Sequence, residues 1–527
     1  MYDVAIVGFG PSGAVAANLF GRAGLNTLVL DRLDTVYDKP RAIALDHEIM
    51  RVFQEIGVLD AVLPHVAPYP PSEYRGVRGP IIKRLDAAPP PFVMGWPPNL
   101  SFTQPPVEEA LRNHALQHDS VTVRLGSEVT AISQHAQHVT LEVRDKNGSS
   151  VENARFVLGC DGANSTVRRL CAIPLDDLDF DEPWLVVDVK VEPAALAELP
   201  DVNVQYCEPS RPATYVVGPG NHRRWEIMLH ESEDPALMVQ DDHVWKLLER
   251  WVKPGQARLW RCSAYRFHAL VAHTWRKDRV FLAGDAAHQQ PPFLGQGMCQ
   301  GIRDVVNVAW KLARVLQGDA SPDLLDTYQL ERRAHVQRLT QTIKSLGQFI
   351  CERDEQKALA RDEKLIAEMG GTLRTTLRQD LMPALEQGFL SAVPHAARGT
   401  LFPQPRQAGE GTLLDDVAGT GFRLFVSQAV STTQLATVQD SVSYINLRIV
   451  RVINHAANSM LPADQDYGFI ERDGVVSAWF SRHNCVAALV RPDHYVFGVV
   501  QDGELLPALF DEIVSRLRNE QPHLAIA

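Results

Sequence analysis

The chain of 527 residues has few of the features that would send it to a membrane, a nucleic acid or an oxidising compartment. Its seven cysteines (Cys160, Cys171, Cys207, Cys262, Cys299, Cys351 and Cys485) are scattered, odd in number and never spaced C-x-x-C. This excludes a disulfide framework and a zinc knuckle, and fits reduced thiols. No apolar stretch approaches the ~20 residues that cross a bilayer, and no charged leader precedes the first strand, which starts at Asp3. Basic runs are missing too: 52 Lys and Arg stand against 64 Asp and Glu, a net charge of −12, which disfavours a phosphate backbone as partner. No His/Cys cluster has metal-ligand spacing. A soluble cytoplasmic protein is expected, with no metal, no nucleic acid and no membrane contact.

What is present is ordinary globular material: 45% hydrophobic residues, 22% charged, and 34 each of Gly and Pro. At roughly 150 residues per domain the length implies three to four domains. Residues 3–31 form a short apolar run, a glycine turn, an Ala-rich segment and a second apolar run, the pattern of a βαβ unit. Arg155–Cys160 and Arg279–Ala283 resemble further buried parallel strands. Between them, residues 184–192 and 202–230 alternate like antiparallel strands with one wet face. This predicts a sheet-rich domain inserted into a nucleotide-binding domain. Long helices are expected over Gly297–Leu316 and Leu324–Ile350. A Pro-rich arm spans 394–405, and the last segment has its own strands at Phe422–Val426, Ser441–Ile445, Val486–Val490 and Tyr495–Val499.

Gly8-Phe-Gly10-Pro11-Ser12-Gly13 follows a strand and opens a helix, and Asp31, 23 residues after Gly8, ends the next strand. The first glycine makes the tight turn and the second lets backbone approach a pyrophosphate. The third lets helix and strand pack, and the acid suits a ribose. This fingerprint alone does not separate FAD from NAD. Two later blocks do. Cys160-Asp161-Gly162 and Leu282-Ala-Gly284-Asp285-Ala-Ala-His288 each place a carboxylate at a strand's carboxyl end, where open α/β sheets bind ligands. Asp285 can accept hydrogen bonds from a polyhydroxyl chain such as ribitol. Pro291-Pro292-Phe-Leu-Gly295-Gln-Gly297-Met298 then runs into a long helix, whose amino end carries about half a positive charge. That end suits the N1–C2=O edge of a reduced flavin.

In this order the three blocks resemble the class A flavoprotein aromatic monooxygenases of the p-hydroxybenzoate hydroxylase fold. Pro40-Arg41-Ala42, Gln104-Pro105, Gly301-Ile-Arg-Asp304, Asn307 and Ala309-Trp-Lys-Leu312 extend the likeness. Pro-Pro-Phe-Leu-Gly-Gln-Gly-Met-Cys and the tail Leu489–Gly498 look most like the 3-(3-hydroxyphenyl)propionate hydroxylase branch, which carries a thioredoxin-like C-terminal domain. The resemblance implies an α/β fold: a Rossmann-like FAD-binding domain in three pieces (1–72, 101–180 and 271–350, the last with the long helix), an inserted antiparallel-sheet substrate domain (73–100 and 181–270), a helical or extended linker (351–407) and a thioredoxin-like domain (408–527). It implies FAD held by Gly8, Gly10, Pro11, Ser12, Gly13, Asp31, Arg32, Arg41, Gln104, Asp161, Gly162, Gly284, Asp285, Pro292, Gly295, Gly297 and Met298. With a single dinucleotide fingerprint, NADH or NADPH would dock transiently, reduce the flavin and leave. O₂ would then give a C4a-hydroperoxyflavin that hydroxylates a phenolic acid. Cys299 stands where some relatives have Asn, and the C-terminal unit without C-x-x-C cannot be a dithiol reductase. Packing or subunit contact, such as a homodimer, is its expected role.

The aromatic substrate is expected between the inserted sheet and the flavin. Candidates to contact it are His47, Tyr206, Tyr215, Arg223, Arg224, His230 and His288, with His47, Tyr215 and His288 as the catalytic candidates. Each has a plainer reading. His47 can be a helix-start polar residue, the tyrosines sheet packing and His288 a support for Asp285. Arg223 and Arg224 follow Gly220-Asn221-His222, which favours a solvated hairpin turn. Alternatives to the leading reading are a hydroxylase of larger polyketide-type aromatics and a flavin-binding sensor without turnover.

Overall fold

The structure is a computed structural model that describes residues 1–454 and 468–519. Its first sheet has a parallel core in the order Val280–Leu282, Gly148–Gly159, Tyr2–Val7, Thr27–Leu30 and Val121–Arg124. The apolar runs are buried on both faces, as a parallel sheet between helices requires. Glu128–Gln134 and Val139–Asp145 extend the sheet as an antiparallel meander. Pro11–Arg22 and Gly297–Gln317 pack on the core. The first has proline in its opening turn, and the second ends at Gly318 in the left-handed region with φ 83°.

Register matters most for function. Val7 lies beside Gly159, and Gly159 beside Leu282, so three loops far apart in sequence leave the sheet side by side. Short backbone hydrogen bonds hold that alignment, from Cys160 N to the Val7 carbonyl at 2.7 Å and from Ala283 N to the Gly159 carbonyl at 2.9 Å.

The second sheet has nine strands, ordered His288–Gln289, Ala257–Ala272, Leu175–Val191, His222–Met228, Ala213–Val217, Asn203–Tyr206, Ser72–Arg75, Ile81–Asp86 and Thr375–Leu377. Two of its pairings are parallel, Asn203–Tyr206 with Ser72–Arg75 and Thr375–Leu377 with Ile81–Asp86. Hence the stretch expected as a linker contributes a strand, after its helix Glu355–Met369. The expected solvated hairpin at Arg223–Arg224 is also corrected. Both arginines lie inside a fully buried strand, because Asp188 and the carbonyls of Pro40, Arg41, Gly218 and Gly220 take up their donors.

The C-terminal sheet runs Gly468–Glu471, Arg448–Asn454, Arg423–Val426, Ala487–Val490, Val496–Val500. Ala487–Val490 is antiparallel to both its neighbours while the others run one way. Setting aside the edge strand Gly468–Glu471, the four remaining strands have thioredoxin-like order and direction. Ser441–Ile445 is helical rather than a strand, lying in Gln439–Ile445, and the strand starts at Arg448, after Asn446 takes φ 51°. Its valine and isoleucine fit either period, and the Asn supplies the left-handed stop.

Candidate functional site

The glycine turn is shaped by close approach. Gly8 sits at φ 101°, and a Cβ on it would lie 2.4 Å from the Cys160 carbonyl oxygen; one on Gly13 would lie 1.9 Å from that of Gly8. No residue but glycine fits at either position. A Cβ on Gly10 or Gly297, by contrast, meets nothing within 4 Å. These two backbones border open space at the amino ends of their helices, with unpaired N–H groups and favourable dipoles for anionic groups. The residues present therefore fit a dinucleotide flavin.

Asp31 is largely committed to the turn. It accepts from Phe9 N at 2.7 Å and Leu33 N at 2.8 Å, with Arg112 3.8 Å away. Gln104 Oε1 receives the amides of Arg41 and Ala42 at 3.1 and 2.7 Å, and its Nε2 donates to Glu108, which pairs with Arg112 at 2.8 Å. The Arg112 guanidinium lies 5.0 Å from the Phe9 ring centroid. A relay of buried side chains thus fixes the Arg41 loop against the glycine turn. Glu108 and Arg112 escaped the sequence reading, although their i, i+4 spacing in Gln104–Ala115 was a usable signal. Arg41 itself is exposed beside Tyr37, and Arg32 is exposed.

From the far side the inserted sheet grips the same loop. Arg224 donates to the carbonyls of Arg41 at 2.8 Å and Pro40 at 3.2 Å, and Arg261 to that of Pro40 at 2.8 Å. Asp188 sits behind them, bound by Arg224 and His222. Burial pushes its pKa up, but Arg224 and the His222 hydrogen bond outweigh that and hold it at about 2.

Asp161 accepts from Ser165 Oγ at 2.5 Å and Val167 N at 3.0 Å, ordering its own loop; Arg168 from that loop donates to the Ala286 carbonyl at 2.9 Å. Gly162 borders open space at φ 80°. Asp285 is exposed, yet enough protein surrounds its carboxyl for desolvation to raise its pKa. His288 is buried. Its Nε2 meets Asp304 at 2.7 Å, and Asp304 also receives Gly284 N at 3.0 Å and Arg332 at 2.9 Å. The ring stacks on Trp275. Ser12 fills the space between Gly284 and Gly301, each of which would clash with it through a Cβ at 3.0 and 2.5 Å.

Pro292 and Gly295 lie on the partly accessible loop leading into Gly297–Gln317, and Met298 sits in the first turn of that helix, half-buried. Gly295 packs on Ala44, where a Cβ would come within 2.9 Å, and the buried Cys299 thiol lies 4.0 Å from the Ala44 carbonyl. Beside that loop a small cavity is lined by His47, Asn99, Leu294, Gln296 and Arg378. His47 starts the helix His47–Ile56, capped by Asp46, and burial lowers its pKa. Tyr215 is elsewhere, its hydroxyl on the Pro200 carbonyl at 3.0 Å and its ring against Trp225. Tyr206 bonds Trp251, and His230 N bonds Glu233.

Residues 1–343 match the FAD binding domain family, and residues 399–515 the HcaD C-terminal domain. The chain belongs to the FAD binding domain family and is an FAD-dependent aromatic hydroxylase with a nicotinamide reductant. A "Probable NADH-specific resorcinol 4-hydroxylase" of Rhodococcus jostii (strain RHA1) is 36% identical over 524 residues, covering 97% of this chain and 94% of the relative. A 3-(3-hydroxy-phenyl)propionate/3-hydroxycinnamic acid hydroxylase of Mycolicibacterium smegmatis is 33% identical over 536 residues, covering 96% and 92%. Among solved structures, aklavinone-11 hydroxylase with FAD and aklavinone superposes with TM-score 0.78 at 20% identity, over 98% of this chain and 99% of that one. The flavin-dependent monooxygenase PieE does so with TM-score 0.80 at 19% identity and the same coverage. Both show the fold. Among the described residues no helix is long and apolar enough to cross a membrane, and no group of three or more His, Cys, Asp or Glu could hold a metal ion.

Proposed function

We propose that this enzyme is a single-component hydroxylase of a small phenolic acid, resembling 3-(3-hydroxyphenyl)propionate, with NADH or NADPH docking transiently. The observation that supports the reading most is the start of Gly297–Gln317, where Gly297 borders open space suited to the flavin's pyrimidine edge and the preceding Gln296 lines the small cavity beside His47. When bound, FAD accepts a hydride from the nicotinamide and supplies reduced flavin for reaction with O₂. The protein's part is to hold the ring in place, keep water away and draw on the phenol proton. His47 is suited to drawing on that proton, because its lowered pKa keeps the imidazole neutral near pH 7, able to accept a hydrogen bond from the hydroxyl. The Gln104 relay and the Arg224–Arg261 grip hold the Arg41 loop from two sides, a rigid frame for Gly8–Gly13 and Asp285. The name of the Rhodococcus jostii relative favours NADH and keeps resorcinol as the second substrate to try.

The test is NADH and NADPH oxidation by the purified yellow enzyme across a panel of phenols and phenolic acids, with products identified. Strong stimulation by a phenolic acid, with one oxygen atom added ortho or para to its hydroxyl, is the expected result. A preparation that oxidises NAD(P)H at one rate with every aromatic, and hydroxylates none, defeats the proposal.

A further inference from the structure

Arg378 belongs to the stretch between the inserted sheet and the C-terminal unit, and it is only 7% exposed. Its Nη1 donates to Ser72 Oγ at 3.2 Å and its Nη2 to the Leu294 carbonyl at 2.9 Å. The guanidinium carbon sits 4.9 Å from the centre of the Tyr69 ring. All three partners are neutral. Among the described residues Arg378 has no ion pair, not even with Asp380 in its own turn; Asp46, which lines the same cavity, is held by Arg303 and the amides of Glu48 and Ile49, and Glu73, next to Ser72, by Arg75. An arginine cannot shed its proton, so this is a permanent buried cation without a counter-charge, a costly arrangement unless something else supplies the anion.

The cation lines the cavity that also holds His47, Asn99 and Gln296. Leu294, which Arg378 touches, lies three residues before Gly297 on the loop leading into the flavin-facing helix. A phenol titrates near 10 and is mostly neutral at pH 7, whereas a carboxylic acid titrates near 4 and is fully ionised. A permanent cation is matched by a permanent anion.

We propose that Arg378 is the specificity-determining residue of the substrate cavity and binds the carboxylate of an aromatic acid, while the ring hydroxyl is left to His47. The inference rests on the functional reading above and sharpens it, because it separates acids from neutral phenols such as resorcinol. Its source, a residue beyond the nucleotide-binding domain, also gives the 351–407 stretch a role at the site.

The experiment titrates purified holoenzyme with 3-(3-hydroxyphenyl)propionate, with its primary-alcohol analogue and with resorcinol, following the flavin absorbance change for Kd and NADH oxidation for KM and kcat. The wild type should bind the acid at least ~10-fold more tightly than the alcohol, the range of a charge-assisted hydrogen bond. Arg378→Met should raise the Kd and KM for the acid by about 10- to 100-fold, and leave those for resorcinol within a factor of about 2. Arg378→Lys should keep much of the preference, since it restores charge but not the fork. Equal binding of acid and alcohol by the wild type overturns the proposal, and this arm needs no variant to fold. Equal losses for acid and resorcinol in Arg378→Met also overturn it, leaving a clamp between Ser72 and Leu294. In both cases hydroxylation itself would persist, so the functional reading stands or falls separately, on whether any aromatic is hydroxylated.

Discussion

Arg303 Nη1 donates to the side-chain oxygen of Gln296 at 2.9 Å, and Gln296 is the residue on which the helix Gly297–Gln317 begins. The same guanidinium pairs with Asp46, the cap of the His47 helix, and with Glu48, whose other oxygen meets the Tyr495 hydroxyl at 3.2 Å. One buried cation therefore ties together the start of Gly297–Gln317, the start of the His47 helix and the C-terminal unit. Arg303→Met would leave two buried carboxylates without their cation, and breaking such a group costs about 3–5 kcal/mol. Denaturant titration of the holoenzyme should show a loss of that order, with Arg303→Lys between the two. A change below about 1 kcal/mol would mean that the cluster is held by something else.

The glycine turn yields a paired prediction. Gly13→Ala places a methyl 1.9 Å from the Gly8 carbonyl oxygen, so the helix must move off the strand and the protein should be recovered without flavin or not at all. Gly10→Ala adds a methyl to open space. If the backbone at Gly10 approaches the pyrophosphate, its protein should fold with near wild-type stability yet bind FAD more weakly, because the methyl would stand in the way. Flavin content and the unfolding midpoint, measured on both variants, check this. Full flavin occupancy in Gly10→Ala would remove that position from the cradle.

Asp285→Ala tests the neighbouring loop. If its carboxylate accepts hydrogen bonds from the ribitol chain, its loss should cost about 1–3 kcal/mol of FAD binding, or roughly 5- to 150-fold in Kd. Fluorescence titration of apoprotein measures it. An unchanged Kd would assign Asp285 to loop structure.

The nucleotide-binding core was legible because strand period, glycine spacing and an acid in register all speak of backbone geometry close in sequence. Glycines 8 and 13 are needed by contacts to Cys160 and Gly8 that any sequence with this turn must make. What stayed hidden depends on partners distant in the chain. Arg224 read as a turn residue because Gly220-Asn221 precedes it, and only Asp188 and the Pro40–Arg41 carbonyls make a buried arginine tolerable there. Arg378 lay in a stretch with no periodic pattern, and the strand just before it, Thr375–Leu377, exists only by pairing with Ile81–Asp86. Ser441–Ile445 fits either period over so few residues, and the Asn446 stop decided for the helix.

His47 carries a prediction about chemistry rather than fold. A neutral imidazole beside the ring hydroxyl helps once the flavin is reduced, when the ring must act as a nucleophile, and has no part in hydride transfer. His47→Gln should therefore leave the rate of anaerobic flavin reduction by NADH unchanged within about 3-fold, while product formation falls by ~10²- to 10⁴-fold, the usual worth of a positioned base. Stopped-flow absorbance and product analysis separate the two steps. Parallel loss of both would move His47 to reductant docking, and loss of neither would remove it from the reaction.

Glu226 gives the sharpest dependence on pH. It lies in His222–Met228, 5% exposed, and desolvation raises its pKa from 4.5 to about 7, more than Arg224 and Arg261 can offset with Asp188 nearby. Its folded pKa is raised, so its contribution to stability is fully present below about 4.5 and is lost as pH rises through about 7. Glutamine remains neutral throughout. Glu226→Gln should match the wild type near pH 4.5 and exceed it at pH 8 by about 3–4 kcal/mol, from roughly 1.4 kcal/mol per pKa unit. Denaturation midpoints at pH 5, 6, 7 and 8 would trace the divergence. Parallel curves for the two proteins would show that Glu226 ionises in the folded protein as readily as in the unfolded chain, and that the Asp188–Arg224–Arg261 cluster does accommodate a second carboxylate.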